Sequence, residues 1–462
     1  MKTSKSWLVA GDNPERPRLA FLICLHVVLS CVSLAYVAQY HYMFHIFFDP
    51  ARLHVAITVV AAFALVSCLF AFADFSFGYF VGFYLYTMVL GYLWLNCFSD
   101  LDYDHRLAGL SAAASAAAFL VPALFISSPI RQRFTISTKA FERLLTLTLA
   151  LAVATILIGA TYNFRVVSLG RIYEFREGLE FPVPLNYWIG ISSNALLPFA
   201  FACFVMRRNY WSAGIALVLL LLFYPITLSK LTFFTPAWLL AMAMLSKRFE
   251  ARMTVVLSLV LPVLVGVVLI VPFSKAALPY YELINFRMIA VPSNALDLYS
   301  EFFSNHDLTG FCQIRILKLL IDCPYQDQLS VVMAKTYDLG NFNASLFSTE
   351  GIASVGLLFA PVSVGVCGLV IGLVNRLSAG LPPRFILISS AILPQIFLNV
   401  PLTTTLLSHG AAFLFLLWYI TPRSMFQQQS KEASLTSGWV RNQLGATGNP
   451  GPLDARSEPA SA

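Results

Sequence analysis

The sequence predicts an all-α polytopic membrane protein with about twelve transmembrane helices. Hydrophobic residues make up 58% of the 462 positions and charged residues only 11%, whereas soluble globular proteins carry about 25% charged residues. The mean hydropathy is +0.74. Because so few charges could not cover a water-exposed surface, lipid must be the solvent for much of the chain. The net charge of +7 does not indicate nucleic-acid binding, since the basic residues lie between apolar runs rather than in one patch.

Each predicted span is a run of about 20 mostly apolar residues, the length of helix that crosses a hydrocarbon core about 30 Å thick. The first run exceeds the roughly 7–15 residues of a signal-peptide core, so we expect it to remain as an uncleaved span. The runs 211–228 and 231–246 are separated by Ser229 and Lys230, and form either two short spans or a re-entrant pair. The twelve runs are 19–40, 53–73, 76–98, 107–127, 144–162, 186–206, 211–228, 231–246, 253–273, 350–374, 384–400 and 403–420.

The distribution of Lys and Arg predicts that both termini are cytoplasmic. With the N-terminus inside, 19 of the 30 basic residues fall on the cytoplasmic side, and eight of the other 11 lie in two outside segments, 163–185 and 274–349. The short outside turns are nearly free of positive charge, as the positive-inside rule requires. We therefore expect a multi-pass protein of the bacterial inner membrane. Its parts are a cytoplasmic N-terminus (1–18), a transmembrane domain (19–420) and a disordered cytoplasmic tail (421–462).

The outside segment 163–185 carries three arginines, Arg165, Arg171 and Arg176. A guanidinium offers a planar fork of donors that suits phosphate, and an undecaprenyl-pyrophosphate head group would supply such an anion at the outer leaflet. The alternative is a solvated ion-pair network between these arginines and the interleaved acids. Those acids are Glu174, Glu177 and Glu180.

The segment 274–349 is the largest predicted loop, with amphipathic helical stretches at 295–303 and 312–321. A long ordered loop in a membrane protein is usually functional. Its many aromatic residues beside carboxylates and amides suit sugar rings, which have apolar faces and hydroxyls that need partners. The alternative is an amphipathic cap whose tyrosines pack at the membrane interface. Cys312 and Cys323 lie on this oxidising side and form either a disulfide or two free thiols, whereas the other six cysteines lie in apolar runs as packing residues.

His306 is the histidine of the long loop, and its ordinary pKa near 6.5 suits a general base. Glu301, Asp307 and Glu350 are rival bases, and a structural role for His306 stays open. Lys230 either reaches the same outer cavity or anchors a helix by snorkelling. His409, in the last run, either faces the bundle interior or packs on its small neighbours. No zinc or nucleotide-binding motif is present, so we expect no cofactor and an energy source built into a lipid-linked substrate.

Two stretches, 286–303 and 340–356, resemble bacterial oligosaccharide repeat-unit polymerases, the O-antigen polymerases. In that family an Arg, a short apolar step to Pro and a helix with Tyr and Phe-Phe begin the large periplasmic loop. An Asn-rich step and a Gly-containing span end it. The matching residues here are Arg287, Pro292, Tyr299, Phe302, Phe303, Asn341, Asn343 and Gly351. The positions of the smaller Arg-bearing loop after span 5 and the larger loop between spans 9 and 10 are also similar.

The resemblance implies a metal-independent, GT-C-like glycosyltransferase. It would move a growing glycan from undecaprenyl pyrophosphate onto a new lipid-linked repeat unit at the periplasmic face, making O-antigen or exopolysaccharide. His306, Asp307 and Glu301 are the candidate catalytic residues. The candidate substrate-binding residues are Arg165, Arg171, Arg176, Lys230, Arg287, Arg315, Tyr299, Asn341, Asn343 and Glu350.

The expected partners are the lipid-linked donor and acceptor and the membrane lipid, with no nucleic acid; whether a chain-length regulator binds stays open. An O-antigen ligase, which shares the donor, is the first alternative. A transporter of lipid-linked sugar is the second. Strong charges within the predicted spans are almost absent, which favours chemistry at the outer interface over transport.

Overall fold

The structure is a computed structural model that describes residues 15–40, 45–176, 178–314, 317–339, 342 and 348–426. It is all-helical: helices account for 77% of the described residues, and among these residues the only β contact is an isolated bridge between Ile46 and Ser99. Apart from a five-residue helix, Ile172–Arg176, the α-helices in chain order are α1 (Glu15–Tyr40), α2 (Pro50–Phe72), α3 (Phe77–Leu95), α4 (His105–Phe125), α5 (Thr138–Tyr162), α6 (Val183–Met206), α7 (Tyr210–Thr227), α8 (Lys230–Arg248), α9 (Ala251–Tyr281), α10 (Val291–Asn305), α11 (Leu329–Tyr337), α12 (Ser348–Ser378), α13 (Pro383–Ser389), α14 (Leu393–Phe397), α15 (Leu402–Leu407) and α16 (Ala411–Ile420).

Nine helices in the described part of the chain are long and apolar enough to cross a membrane, namely α1–α7, α9 and α12. They coincide with nine of the twelve predicted runs, so the prediction of an all-α polytopic membrane protein is confirmed. The other three runs take different forms. Run 231–246 is the less apolar helix α8, and runs 384–400 and 403–420 are each divided into two short helices. Pro394 is the second residue of α14, and Gly410, with φ of 74°, precedes α16.

Helix α3 forms the centre of the bundle, since all of its residues are buried. It is rich in aromatic side chains, and α1, α2, α4, α10 and α12 pack around it. Helices α4 and α12 run side by side, with Gly368 packed against Phe119 and Pro122. A central helix that is apolar on every face is what a span enclosed by other spans requires.

Basic side chains gather at one end of the bundle, here called the basic end, where the connections 126–137, 207–209, 249–250, 379–382 and 421–426 meet. Backbone hydrogen bonds join the connection 126–137 to the ends of α12 and α16, from Ile130 N to Arg376 O at 3.3 Å and from Ile136 N to Ile420 O at 3.4 Å. The Lys and Arg of this end are Arg131, Arg133, Lys139, Arg143, Arg207, Arg208, Lys247, Arg248, Arg252, Arg376, Arg384 and Arg423. The opposite end, here called the loop end, comprises the connections 96–104, 163–182, 228–229, 306–339 and 398–401.

The start of the predicted loop 274–349 is helical and packs back into the bundle. The chain reverses at Phe273, which interrupts α9 with φ of −122° and ψ of 36°. Tyr280 Oη then donates to Pro262 O at 3.3 Å, and Asn285 Nδ2 donates to Val263 O at 3.0 Å. The returning chain continues as a π-helix, Glu282–Ala290, into α10. Residues up to 305 are therefore packed against the spans rather than forming a separate loop.

Gly266→Val is expected to destabilise this return, because an added Cβ would overlap the Asn285 side chain. Asn285 has no room to move, since it is fully buried and its amide nitrogen also lies 3.2 Å from Ser33 Oγ. Overpacking of this kind costs about 1–3 kcal/mol, which equilibrium unfolding in mixed micelles would measure. Gly214→Val is the matched control, because nothing lies within 4 Å of a Cβ at Gly214. Equal stability of the two variants would contradict the tight packing described here.

Candidate functional site at the loop end

Helix α10 carries a fully buried carboxyl group, Asp297, into contact with the connection between α3 and α4. Ser99 Oγ donates to Asp297 Oδ2 at 2.8 Å, and the Tyr103 hydroxyl hydrogen-bonds to Asp297 Oδ1. Tyr103 Oη also lies 2.9 Å from Asn96 Oδ1. Burial raises the pKa of Asp297 to about 6, and the hydrogen bonds from Tyr103 and Ser99 oppose that rise. The sequence analysis did not single out this residue.

Glu301, one turn further along α10, has a partner of its own. The hydroxyl of Tyr337 in α11 donates to Glu301 Oε2. Burial, and then the hydrogen bond to Glu301 and its charge, raise the pKa of Tyr337. Glu301 therefore joins α11 to α10, and this position favours a structural role over the predicted role as a base.

His306 and Asp307 follow the end of α10 and are both exposed. The His306 ring stacks on Phe302, with 4.0 Å between ring centroids and 3° between planes. His306 Nδ1 lies 2.8 Å from the Phe302 carbonyl oxygen. A carbonyl only accepts, so Nδ1 carries the proton and Nε2 of the neutral ring is left with a lone pair. His306 is thus oriented to accept a proton at Nε2, while the Asp307 carbonyl accepts from Tyr325 Oη at 2.8 Å.

Glu350 lies on a short helical leg that folds back on the rest of α12. The reversal is at Gly356, whose φ of 76° and ψ of 172° are open to glycine and little else. Gly351 packs against the backbone of Ala360, where an added Cβ would lie 3.3 Å from Ala360 Cα. The leg 348–355 therefore runs back along the first turns of the span and carries Glu350 into the bundle.

Two other elements reach Glu350. Its carboxylate accepts a hydrogen bond from the backbone N–H of Leu402, the first residue of α15. Tyr299 of α10 is fully buried, and burial together with the nearby Glu350 charge raises the pKa of Tyr299. The Tyr299 hydroxyl donates to Phe342 O at 3.2 Å. Glu350 is thus placed where α10, α12 and α15 meet.

The arginines of segment 163–185 occupy a different part of the loop end, against the connection of α7 and α8. Arg165 N donates to Pro225 O at 3.0 Å, and Asn163 Nδ2 donates to the same oxygen at 3.0 Å. Tyr224 Oη donates a hydrogen bond to Val167 O. Lys230 begins α8 at this point and is half-buried.

The side chains of Arg165 and Arg171 are exposed, and Arg171 lies over the Phe175 ring at 5.6 Å. Among the described side chains, neither arginine forms an ion pair with Glu174 or Glu180. Of the predicted alternatives, anion binding and an ion-pair network, both therefore stay predictions, because the network also includes Arg176 and Glu177, whose side chains are not described. Arg287 is exposed on the π-helical run before α10. The side chain of Arg176 and the residues Arg315, Asn341 and Asn343 lie outside the described part of the chain.

The structure thus brings Tyr299 close to Glu350, and it places Arg165, Arg171 and Lys230 around the α7–α8 connection. Within the described residues, no hydrogen bond or ion pair joins Arg165 or Arg171 to the acids of α10 and α12. Helix α15 and the residues that follow it connect the Glu350 region to α6. Leu402 contacts Glu350 at one end, and Ser408 packs on Gly190 of α6 at the other.

His409 follows α15 and also faces α6. Asn194 Nδ2 lies 3.0 Å from His409 Nδ1, so the amide donates and the ring nitrogen accepts. Asn194 belongs to a π-helical run, Ser192–Leu196, within α6. Such runs often occur at functional positions, and here the run turns a polar side chain toward the broken pair α15–α16.

Cys312 and Cys323 form a disulfide, with 5.3 Å between their Cα atoms. The predicted amphipathic helix at 312–321 is not present in the described residues of that stretch, which form turns and a single 3₁₀ turn at Leu317–Leu319. The close approach of the two cysteines curls the chain between them, which is incompatible with a straight helix of ten residues at about 1.5 Å per residue.

We expect six of the eight cysteines to react with a thiol reagent when the protein is denatured without reductant, and all eight after reduction. The six free cysteines are Cys24, Cys31, Cys68, Cys97, Cys203 and Cys367. The mass shift of the alkylated protein gives the count. Eight reacting thiols before reduction would rule out the disulfide, and Cys312→Ser/Cys323→Ser should react at six positions under both conditions.

The described residues contain no group of three or more His, Cys, Asp or Glu arranged to hold a metal ion. No protein-family model, curated protein or solved structure matches this chain. The class that the fold defines is a multi-pass, all-helical membrane protein.

Proposed function

We propose that this protein is a membrane-embedded glycosyltransferase that polymerises undecaprenyl-pyrophosphate-linked oligosaccharide repeat units into O-antigen or exopolysaccharide. The observation that carries this proposal is Glu350, a half-buried carboxylate at a helix break, near the fully buried Tyr299. An interior carboxylate at the end of a bundle has access both to a lipid-linked substrate and to water, and it is suited to accept a proton.

The orientation in this proposal follows from charge. The positive-inside rule makes the basic end cytoplasmic, so the loop end faces the periplasm of a bacterial inner membrane and both termini are cytoplasmic. The proposal includes twelve crossings in a GT-C-like arrangement. Runs 231–246, 384–400 and 403–420 have contacts that fit three further crossings. Arg384 at the start of α13 contacts Ser246 at the basic end, Leu402 of α15 contacts Glu350 at the loop end, and α16 ends beside Ile136 at the basic end.

In the proposed reaction, a hydroxyl of the acceptor repeat unit attacks the anomeric carbon of the donor glycan. A new glycosidic bond forms, the bond from carbon to the phosphate oxygen breaks, and undecaprenyl pyrophosphate leaves with the electron pair. Glu350 or His306 Nε2 takes the hydroxyl proton. Exposed guanidinium groups, including Arg165, Arg171 and Arg287, bind the diphosphate, whose charge increases as the bond breaks. Tyr299 is fully buried, so in this proposal it supports the structure around Glu350 rather than contacting sugar as the sequence predicted.

A second candidate function, transport of a lipid-linked sugar, is favoured by the broken helices. α9 reverses at Phe273, α12 reverses at Gly356, and α15 and α16 are separated at Gly410. Transporters often build substrate sites from such discontinuous helices. The interior position of Glu350 also removes part of the sequence argument against transport, which relied on the scarcity of charges within the spans.

The test is a deletion strain complemented with wild type, Arg287→Ala or Arg106→Ala. For a polymerase, deletion removes long chains and leaves single-repeat lipopolysaccharide. Arg287→Ala should fail to restore polymer at a normal protein level, since a diphosphate-binding cation is lost. Arg106→Ala should restore it, because Arg106 is an exposed arginine of the same end, at the start of α4.

Lipopolysaccharide with no repeat units at all would assign a ligase. Accumulation of undelivered lipid-linked units in the cytoplasmic leaflet would assign a transporter, and normal chains would remove all three functions.

A further inference from the structure

Helices α8 and α9 leave a groove of about 630 Å³ between them. Its wall is largely apolar, and several of the wall side chains face outward. Met244 is 57% exposed, Leu261 39% and Val265 43%. In a protein that crosses the membrane, outward-facing apolar side chains along two helices border lipid rather than water.

The groove is charged at one end only. Lys247 and Arg248, the last residues of α8, line it at the basic end. No acidic side chain is among the residues that line it, and the acid next in sequence, Glu250, is engaged by Arg252, with 2.7 Å between Oε1 and Nε. Two cations at one end of an apolar groove complement a molecule with an anionic head group and a hydrocarbon chain.

We propose that this groove binds an anionic phospholipid, with one acyl chain along the wall and the phosphate at Lys247 and Arg248. Burial of methylene groups stabilises the chain, and the two basic side chains bind the head group. The polyprenyl-linked substrate of the proposed function has its diphosphate at the loop end. The groove is therefore a separate site, and it does not depend on that function.

The test is native mass spectrometry of the full chain in detergent, titrated with phosphatidylglycerol or phosphatidylcholine. Wild type should retain one phosphatidylglycerol far more tightly than phosphatidylcholine. Lys247→Gln/Arg248→Gln should weaken that binding about 30-fold, from about 1 kcal/mol for each basic residue. Arg131→Gln/Arg133→Gln removes the same charge from exposed positions at the same end, and it should bind like wild type.

A second variant tests the apolar wall without changing charge. Val265→Trp fills part of the groove from an outward-facing position, so it should displace the acyl chain while leaving the unfolding midpoint unchanged. The proposal is overturned if Lys247→Gln/Arg248→Gln binds like wild type, or if both double variants lose binding equally, which would indicate diffuse attraction to the basic end. Tighter retention of a polyprenyl phosphate than of phosphatidylglycerol would also overturn it.

Discussion

Replacing Glu350 by glutamine is expected to abolish long glycan chains while the protein stays in the membrane at its normal level. The amide keeps the shape of the side chain and still accepts the hydrogen bond from Leu402 N–H, but it cannot accept a proton from an attacking hydroxyl. Loss of a general base costs about 100-fold to 10,000-fold in rate. We therefore expect at least about a 100-fold fall in polymer, measured from the chain-length distribution of lipopolysaccharide in the complemented deletion strain.

Glu282→Gln is the matched control for this variant. Glu282 is an exposed glutamate in the same part of the molecule, at the start of the π-helical run, so its neutralisation changes net charge by the same amount. It should leave chain length unchanged. His306→Gln separates the two candidate bases. If this variant loses polymer while Glu350→Gln retains it, the base is His306 and the role proposed for Glu350 is wrong.

The nine long helices were predictable because hydropathy reports removal from water, whether into lipid or into the bundle interior as for α3, and each run is long enough to cross. The breaks in the last two predicted spans were not predictable in this way. An apolar run has the same composition whether it is one helix or two, and Pro394 and Gly410 belong to residue types that straight transmembrane helices also tolerate. Close packing fixes the backbone at Gly410, since a Cβ added there would lie 2.9 Å from the Cα atom of Ile191 in α6.

The return of 274–305 into the bundle was missed for a different reason. The polar residues in this segment suggested a loop in water, but several of them are satisfied inside the protein. Ser293 Oγ lies 2.7 Å from Ile289 O and 2.9 Å from Met88 O, and Asn285 bonds to Val263 and Ser33. A polar side chain needs a hydrogen-bond partner, not water. In this segment several of those partners lie roughly two hundred residues away in sequence, where composition cannot show them.

The same limit applies to the candidate site. The sequence selected residue types suited to the chemistry, yet it could not rank the acids. Glu301, Asp307 and Glu350 differ little in local sequence, whereas the structure gives Glu301 a phenol partner, leaves Asp307 exposed and puts Glu350 inside the bundle. The sequence did not predict a buried role for Asp297, because a carboxylate in an amphipathic stretch ordinarily faces water.

Asp297→Asn is expected to remove a pH dependence of stability and to stabilise the protein at neutral pH. The pKa of Asp297 is about 6 in the folded protein, above the ordinary 3.8, so the folded state keeps a proton that the unfolded chain has lost. The contribution of Asp297 to stability is therefore full below about pH 4, and it is lost as the pH rises through about 6. This difference of about two pKa units corresponds to about 3 kcal/mol.

The hydrogen bonds around Asp297 explain why the neutral form fits. Tyr103 has one proton and two close acceptors, Asp297 Oδ1 and Asn96 Oδ1, while the Tyr92 hydroxyl lies further away, at 3.3 Å. A protonated Asp297 donates to Tyr103 Oη, which frees the phenol proton for Asn96, while Ser99 still donates to Oδ2. An asparagine amide reproduces this pattern at every pH. We therefore expect Asp297→Asn to match wild type at about pH 3 and to exceed its unfolding free energy by about 3 kcal/mol at pH 8.

Equilibrium unfolding in mixed micelles at the two pH values measures this difference. Asp102→Asn, an exposed aspartate in the same α3–α4 connection, should leave the wild-type pH dependence intact. If Asp297→Asn instead loses stability equally at both pH values, then the carboxyl group is ionised in the folded protein. In that case Ser99 and Tyr103 both donate to an ionised Asp297 carboxylate. The donor and acceptor roles given above for Asp297 and Tyr103 would then be reversed.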